Sequence, residues 1–139
     1  MTDLDTAKAH LSGHSLCLCK DGAWFTDDGR GISPMLRLIG ENRGLRGYAA
    51  ADIIVGKAAA MLSVKAGIAA VYGEVMSKAG KAYLEAHGIL CAFGTLTENI
   101  INRKGDGVCP MEQAVAALDD AEAGCAALRD KLNSLKNKA

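Results

Sequence analysis

From position 48 the chain reads Tyr48-Ala49-Ala50-Ala51-Asp52-Ile53-Ile54-Val55-Gly56-Lys57-Ala58-Ala59-Ala60, and two further apolar runs follow, Ile68 to Val75 and Ile89 to Phe93. Glycines precede both later runs, at Gly67 and Gly88. Short apolar runs bounded by glycine suit buried strands, and the longer stretches between them suit helices. Tyr48 to Ala51 reads as a short buried strand, after which Asp52 caps a helix from Ile53 to Ala66 that Gly67 stops. Ile68 to Val75 reads as a β-branched strand, Ser77 caps a helix reaching about His87, and Gly88 ends that helix before Ile89 to Phe93. Strand, helix, strand, helix, strand requires right-handed crossovers and a parallel half-sheet.

Upstream of this unit, Asp3 or Asp5 caps a short helix running to about Leu11, which Ser12-Gly13 terminates. Ser15 to Lys20 and Ala23 to Thr26 are strand-like runs separated by Asp21-Gly22, the dipeptide suited to a two-residue hairpin turn. After the loop Asp27-Asp28-Gly29-Arg30-Gly31, Ser33 as cap and Pro34 at the first helical position open a helix to about Glu41. Downstream, Thr95 to Val108 is irregular and polar, and a loop this long in a small domain is more often functional than idle. Pro110 launches an amphipathic segment in which Met111, Leu118, Cys125 and Leu132 recur every seven residues, with a break near Asp119-Asp120. The expected architecture is one domain over residues 1–139: an α/β, three-layer α/β/α sandwich. Its mixed sheet has an N-terminal antiparallel hairpin and parallel β/α units, and residues 110–136 form a C-terminal helical segment.

The chain has 139 residues, half of them apolar, which suits a single ordinary domain. Sixteen Lys and Arg balance sixteen Asp and Glu, and aromatics are only 4%. Neither the basic footprint of a nucleic-acid binder nor the stacking platform of a single-strand binder fits that balance. The acidic start Met1-Thr2-Asp3-Leu4-Asp5 is unlike a secretory signal, and the stretch from Tyr48 to Tyr72 is interrupted by Asp52, Lys57 and Lys65, so no membrane span is expected. Five cysteines without a CxxC spacing argue for free thiols, and the expected location is cytoplasmic.

Three blocks carry a resemblance: Asp52-Ile53-Ile54-Val55-Gly56-Lys57-Ala58-Ala59-Ala60; Val71-Tyr72-Gly73-Glu74-Val75-Met76-Ser77; and Ile100-Ile101-Asn102-Arg103 with Cys109-Pro110-Met111-Glu112. Over nearly its whole length the chain resembles the uncharacterised bacterial and archaeal family known as domain of unknown function 1893. The resemblance implies a cytidine-deaminase-like fold and, by its name, no activity. Zinc deaminases require a His or Cys with a neighbouring Glu at one helix start and Pro-Cys-x-x-Cys at the next. Here the corresponding places hold Asp52, Gly56 and Lys57, then Val75-Met76-Ser77-Lys78-Ala79. No metal and no cofactor is therefore expected, because a lone Cys109 with scattered histidines does not supply the converging ligands zinc needs.

The candidate catalytic residues are Cys109, Lys57 and Glu112. Lys57 is the only charge between Ile53 and Val64. Partial burial would make it a nucleophile, a general base or an anion ligand; the alternative is a snorkelling side chain. Cys109 sits at a helix start, where backbone N–H groups favour a thiolate. Glu112, three residues on, either closes a capping box or carries a proton beside Cys109. The candidate ligand-binding residues are Asp52, Ser77, Asn99, Asn102 and Arg103, near the carboxyl ends of strands or in the polar loop, where open α/β sheets bind ligands and helix starts favour anions. Asn99 and Asn102 equally suit turns.

Two functions remain open from the sequence. One is a zinc-free deaminase-like domain that binds a small anionic or nucleotide-like ligand beneath residues 95–109. The other is a non-catalytic interaction module that self-associates, as a homodimer, through the C-terminal helix. Neither involves a nucleic-acid polymer or a membrane.

Overall fold

In the computed structural model, which describes residues 1–136, α1 (Asp3–Ala9) leads into a hairpin of β1 (Leu16–Lys20) and β2 (Ala23–Asp27). There follow α2 (Ser33–Gly40), β3 (Ala49–Val55), α3 (Lys57–Ala66), β4 (Ala70–Ser77), α4 (Lys78–Ala86), β5 (Leu90–Thr97), α5 (Pro110–Val115) and α6 (Ala121–Lys136). The five strands form one sheet in the order β2-β1-β3-β4-β5. β1 runs antiparallel to both β2 and β3, while β3, β4 and β5 run parallel. The mixed α/β sheet expected from the sequence is therefore present.

At the hairpin, Asp21 and Gly22 take φ of 52° and 82°, the left-handed pair that a primed two-residue turn requires. Asp3 does not cap α1. Its carboxylate accepts the N–H groups of Asp21 (2.9 Å) and Gly22 (3.0 Å), bracing the turn, while Thr2 and Asp5 form the capping box of α1.

Alternation along β1 divides the interior into two layers. Leu16 and Leu18 join Ala50, Val71, Met61, Leu62, Leu84 and Leu128 on the face covered by α2, α3, α4 and α6. Cys17 and Cys19 point the other way, to Ala51 and to Ala7 and Leu11 at the N-terminal helix. Each large aliphatic chain removed from water in these layers stabilises the fold by about 2 kcal/mol. All five cysteines are free thiols.

The C-terminal heptad pattern is spent inside the domain. Cys125 and Leu128 are buried in the larger core, and Leu132 packs against it. A side chain at Gly124 would overlap Met61 of α3. The expected break at Asp119-Asp120 separates α5 from α6, and Asp120 caps the new helix by accepting from the Ala123 N–H at 2.9 Å.

Two boundaries differ from the sequence reading, and both shape the site. β3 runs through Ile53-Ile54-Val55, so Asp52 lies within a strand and α3 starts only at Lys57. β5 extends to Thr97, absorbing the first residues of the expected polar loop. Along the three parallel strands the pairing skips Ile53, Glu74 and Gly94 in line. Before the skip Ala50 and Val71 face the larger core; after it Val55 and Met76 do. One extra residue per strand shifts the side-chain alternation, as a bulge does.

Candidate functional site

Past the skip, the carboxyl end of β3 opens into a cavity of about 1350 Å³. Asp52, Ile53 and Ile54 of β3 lie on one side of it, with Gly56, Ala58 and Ala59 at the start of α3. The loop after β2 contributes Asp28, Arg30 and Ile32, and the segment after β5 contributes Ile101, Asn102, Arg103, Lys104 and Asp106. Cys109, Pro110, Met111 and Glu112 close the remaining side, together with Leu132 and Leu135 of α6. Apolar walls with few polar groups are the usual character of a small-molecule site.

Glu112 links two elements distant in sequence. Its Oε1 accepts from the Lys57 N–H at 2.8 Å and its Oε2 from the Ala58 N–H at 3.0 Å. A carboxylate there satisfies two orphan donors of α3 and meets the positive end of its dipole. Gly56 makes room, since a Cβ at that position would overlap the carboxylate. Burial pushes the Glu112 carboxyl above its ordinary range, opposed by these two backbone bonds. Glu112 is thus the cap of α3, not of its own helix: α5 begins at Cys109-Pro110 with no side-chain cap.

Lys57 returns the contact. Its Nζ donates to the Ala116 carbonyl at 3.1 Å, at the end of α5, and lies 4.0 Å from an Asp119 oxygen. The side chain is 14% exposed, but its ammonium does not line the cavity. The structure therefore does not bring the Lys57 ammonium and the Cys109 thiol into one pocket. Cys109 lines the cavity without a histidine among the lining residues.

Ser77 is buried and caps α4 by accepting from the Gly80 N–H at 3.0 Å. Gly80 in turn touches Gly56, where a Cβ would come within 2.9 Å of the Gly56 carbonyl carbon. Two amides at the start of α3 and one at the start of α4 are thus met by the protein's own side chains, which leaves less of either helix start for an anion. Asn99 is exposed and off the cavity. Asn102 lines it but its side chain is exchanged with Asp106: Nδ2 donates at 2.9 Å and Oδ1 accepts from the Asp106 N–H. Arg103 is exposed at the mouth.

Asp52 differs from all of these. Its carboxyl meets only the backbone N–H groups just after it, Ile54 at a long 3.4 Å and Ile53, and among the described residues it has no cationic partner. Burial pushes it up to about 7. A carboxyl so placed exchanges its proton near neutrality. Arg30 and Lys104, which the sequence reading did not select, join Arg103 at the mouth; among the described residues none of the three has an acidic partner. The sequence held one signal for them: basic side chains flanked by glycine in two separate loops, Gly29-Arg30-Gly31 and Arg103-Lys104-Gly105.

A mixed α/β sheet with a polar-mouthed cavity at the carboxyl end of its first parallel strand defines the class of the fold as α/β. The family profile described as TM1506, domain of unknown function (DUF1893), matches residues 7–132. The chain belongs to that family. It is similar to the crystal structure of a DUF1893 family protein, TM1506, from Thermotoga maritima, with 25% identity and a TM-score of 0.77, over 84% of this chain and 80% of that one. No curated protein matches. No helix among the described residues is long and apolar enough to cross a membrane.

Proposed function

We propose that this is a cytidine-deaminase-like α/β/α domain without a zinc centre, whose cavity binds a small anionic, nucleotide-like ligand. The observation that carries the reading is the pairing of Asp52 with an apolar cavity and a mouth where Arg30, Arg103 and Lys104 outnumber Asp28 and Asp106. An uncompensated, partly buried carboxyl opposes folding, and such groups cluster at functional sites. Arg30, Arg103 and Lys104 at the mouth attract a phosphate or carboxylate, while Ile53, Ile54, Ile101 and Met111 suit a flat apolar body. Asp52 is the group we assign to proton exchange or hydrogen bonding with the buried end of the ligand.

The donor set does not fit zinc. Among the described residues no three His, Cys, Asp or Glu side chains gather as metal ligands. At the two helix starts where deaminases hold zinc, Glu112 has both oxygens engaged by amides and Ser77-Lys78-Ala79-Gly80 offers no thiolate.

A thermal-shift series with nucleoside monophosphates, cyclic monophosphates and unphosphorylated nucleosides tests the reading. At a ligand concentration about 100 times Kd, binding stabilises by about 2.7 kcal/mol, which raises Tm by roughly 8 °C for a domain of this size. Phosphorylated ligands should produce the shift and nucleosides a smaller one, and an Arg103→Ala, Lys104→Ala double variant should lose most of it. An unchanged Tm across the whole series refutes the proposal.

A further inference from the structure

Residues 100–109 form a small hairpin bonded to itself and hardly to anything else. The Cys109 N–H donates to the Ile100 carbonyl at 2.9 Å and the Asn102 N–H to the Gly107 carbonyl at 2.8 Å, around the antiparallel bridge of Ile101 and Val108. The tip is closed by the Gly105 N–H on the Asn102 carbonyl and by the exchange between Asn102 and Asp106. Among the described residues, no hydrogen bond or ion pair joins residues 99–107 to anything outside this hairpin. Its anchors lie at the base, where Lys78 pairs with Glu98 and the Gln113 Nε2 donates to the Val108 carbonyl at 2.8 Å. A unit stiff within itself and tied only at its base moves as one body.

The cavity that the hairpin borders is too open for the small ligand assigned to it. At about 1350 Å³ it exceeds the roughly 300–1000 Å³ of small-molecule sites. Ile53 is 37% exposed, Ile54 49% and Ile101 53%, and all three line it. Contact among apolar side chains left wet around one cavity removes that surface from water and stabilises the closed arrangement. Ile53 and Ile54 belong to β3, which is held in the middle of the sheet, whereas Ile101 rides on the hairpin. Bringing them together therefore moves the hairpin and not the sheet.

We infer that residues 100–109 are a flap that pivots at its base, closing Ile101 over Ile53 and Ile54 and carrying Arg103 and Lys104 onto the anionic group of the ligand. An anion held by Arg30, on the loop after β2, attracts the tip of the flap, so that binding and closure reinforce each other. The flap deepens the ligand reading above and rests on it only for what is enclosed.

The test needs no ligand and uses the full chain carrying Ile54→Cys with Ile101→Cys, and a second pair, Ile53→Cys with Ile101→Cys. All three positions are exposed, so the reduced variants should melt as wild type does. With dissolved oxygen as the oxidant and copper phenanthroline as catalyst, an intramolecular disulfide between the introduced thiols should form in at least one pair, which requires Cα atoms within about 7 Å. Tryptic peptides locate it, because Arg103 and Lys104 separate position 101 from Cys109. In the locked form iodoacetamide should reach Cys109, which lines the cavity, at least about tenfold more slowly than in the reduced variant. Failure of both pairs to crosslink overturns the inference. So does a crosslinked form whose Cys109 reacts as fast as before, since thiols joined without closure leave the cavity open. The thermal shifts of wild type judge the ligand separately. Shifts without crosslinking keep the ligand and remove the flap, whereas crosslinking and shielding without shifts keep the flap and remove the nucleotide.

Discussion

Replacing Asp52 with Asn should stabilise the protein, and only on one side of the pH scale. Burial raises this carboxyl from its ordinary value of 3.8 to about 7. The folded state therefore holds the Asp52 proton more tightly than the unfolded chain does. Below pH 4 both states are protonated and the group is neutral toward folding. Between pH 4 and 7 the unfolded chain ionises while the folded protein resists, so a destabilisation grows and is complete above 7. At about 1.4 kcal/mol for each pH unit the ceiling is about 4 kcal/mol. Because Asp52 lines an open cavity, solvent reduces that to about 2–4 kcal/mol. Urea unfolding followed by circular dichroism at pH 4 and pH 8 measures it. The stability difference between Asp52→Asn and wild type should be larger at pH 8 by that amount. Glu112 shares the upward direction but is common to both proteins, so it cancels. Equal pH dependence of the two proteins would refute the claim that Asp52 is uncompensated in the fold.

Gly56→Ala should expel the Glu112 carboxylate from the start of α3 and destabilise by about 2–3 kcal/mol, the loss of two charge-assisted bonds, read from the shift in urea midpoint. Lys57→Met should lower stability by about 1 kcal/mol through the lost bond to the Ala116 carbonyl, yet leave nucleotide-induced thermal shifts unchanged, since the ammonium does not line the cavity. Iodoacetamide labelling with mass spectrometry should modify Cys109 well before Cys17 and Cys19, which are buried and whose thiols burial pushes up; bound nucleotide should slow Cys109 alone.

The parts of the fold legible in the sequence are those decided by local chemistry. Asp21-Gly22 needs two left-handed residues, Gly67 ends α3 in the same conformation, Ser77 caps α4, and Pro110 opens α5. Each signal lies within a few residues of the structure it specifies. Asp52 misled because an acid before an apolar run is also how a cap looks. Three β-branched residues, Ile53, Ile54 and Val55, favour a strand, and the true start of α3 is capped by a residue 55 positions away. No local pattern announces a cap supplied from another helix. The in-line skip at Ile53, Glu74 and Gly94 was equally hidden, although Gly94 marks it: a Cβ there would come within 2.9 Å of the Glu74 carbonyl oxygen.

The misplaced cap also relocates the charge of the ligand. A start of α3 left without a carboxylate would have offered its dipole to an anion. With Glu112 seated there, and Ser77 accepting one amide of α4, the positive charge left for an anion is at the mouth, where Arg30, Arg103 and Lys104 exceed Asp28 and Asp106. Asp52 then matters to an anion through its protonation. Protonated, it leaves the field of the mouth undiminished; ionised, it opposes a phosphate across the cavity by about 1 kcal/mol at an effective dielectric near 20. Affinity for an anionic ligand should therefore fall roughly fivefold as pH rises from 6 to 8.5, through the Asp52 value of about 7. Calorimetry with a cyclic monophosphate isolates the effect, because a phosphodiester keeps one constant charge over that range while a phosphomonoester does not. Asp52→Asn should bind equally at both pH values. A wild-type affinity that does not change with pH, or a fall that persists in Asp52→Asn, would mean that the carboxyl and the anion do not occupy the same cavity.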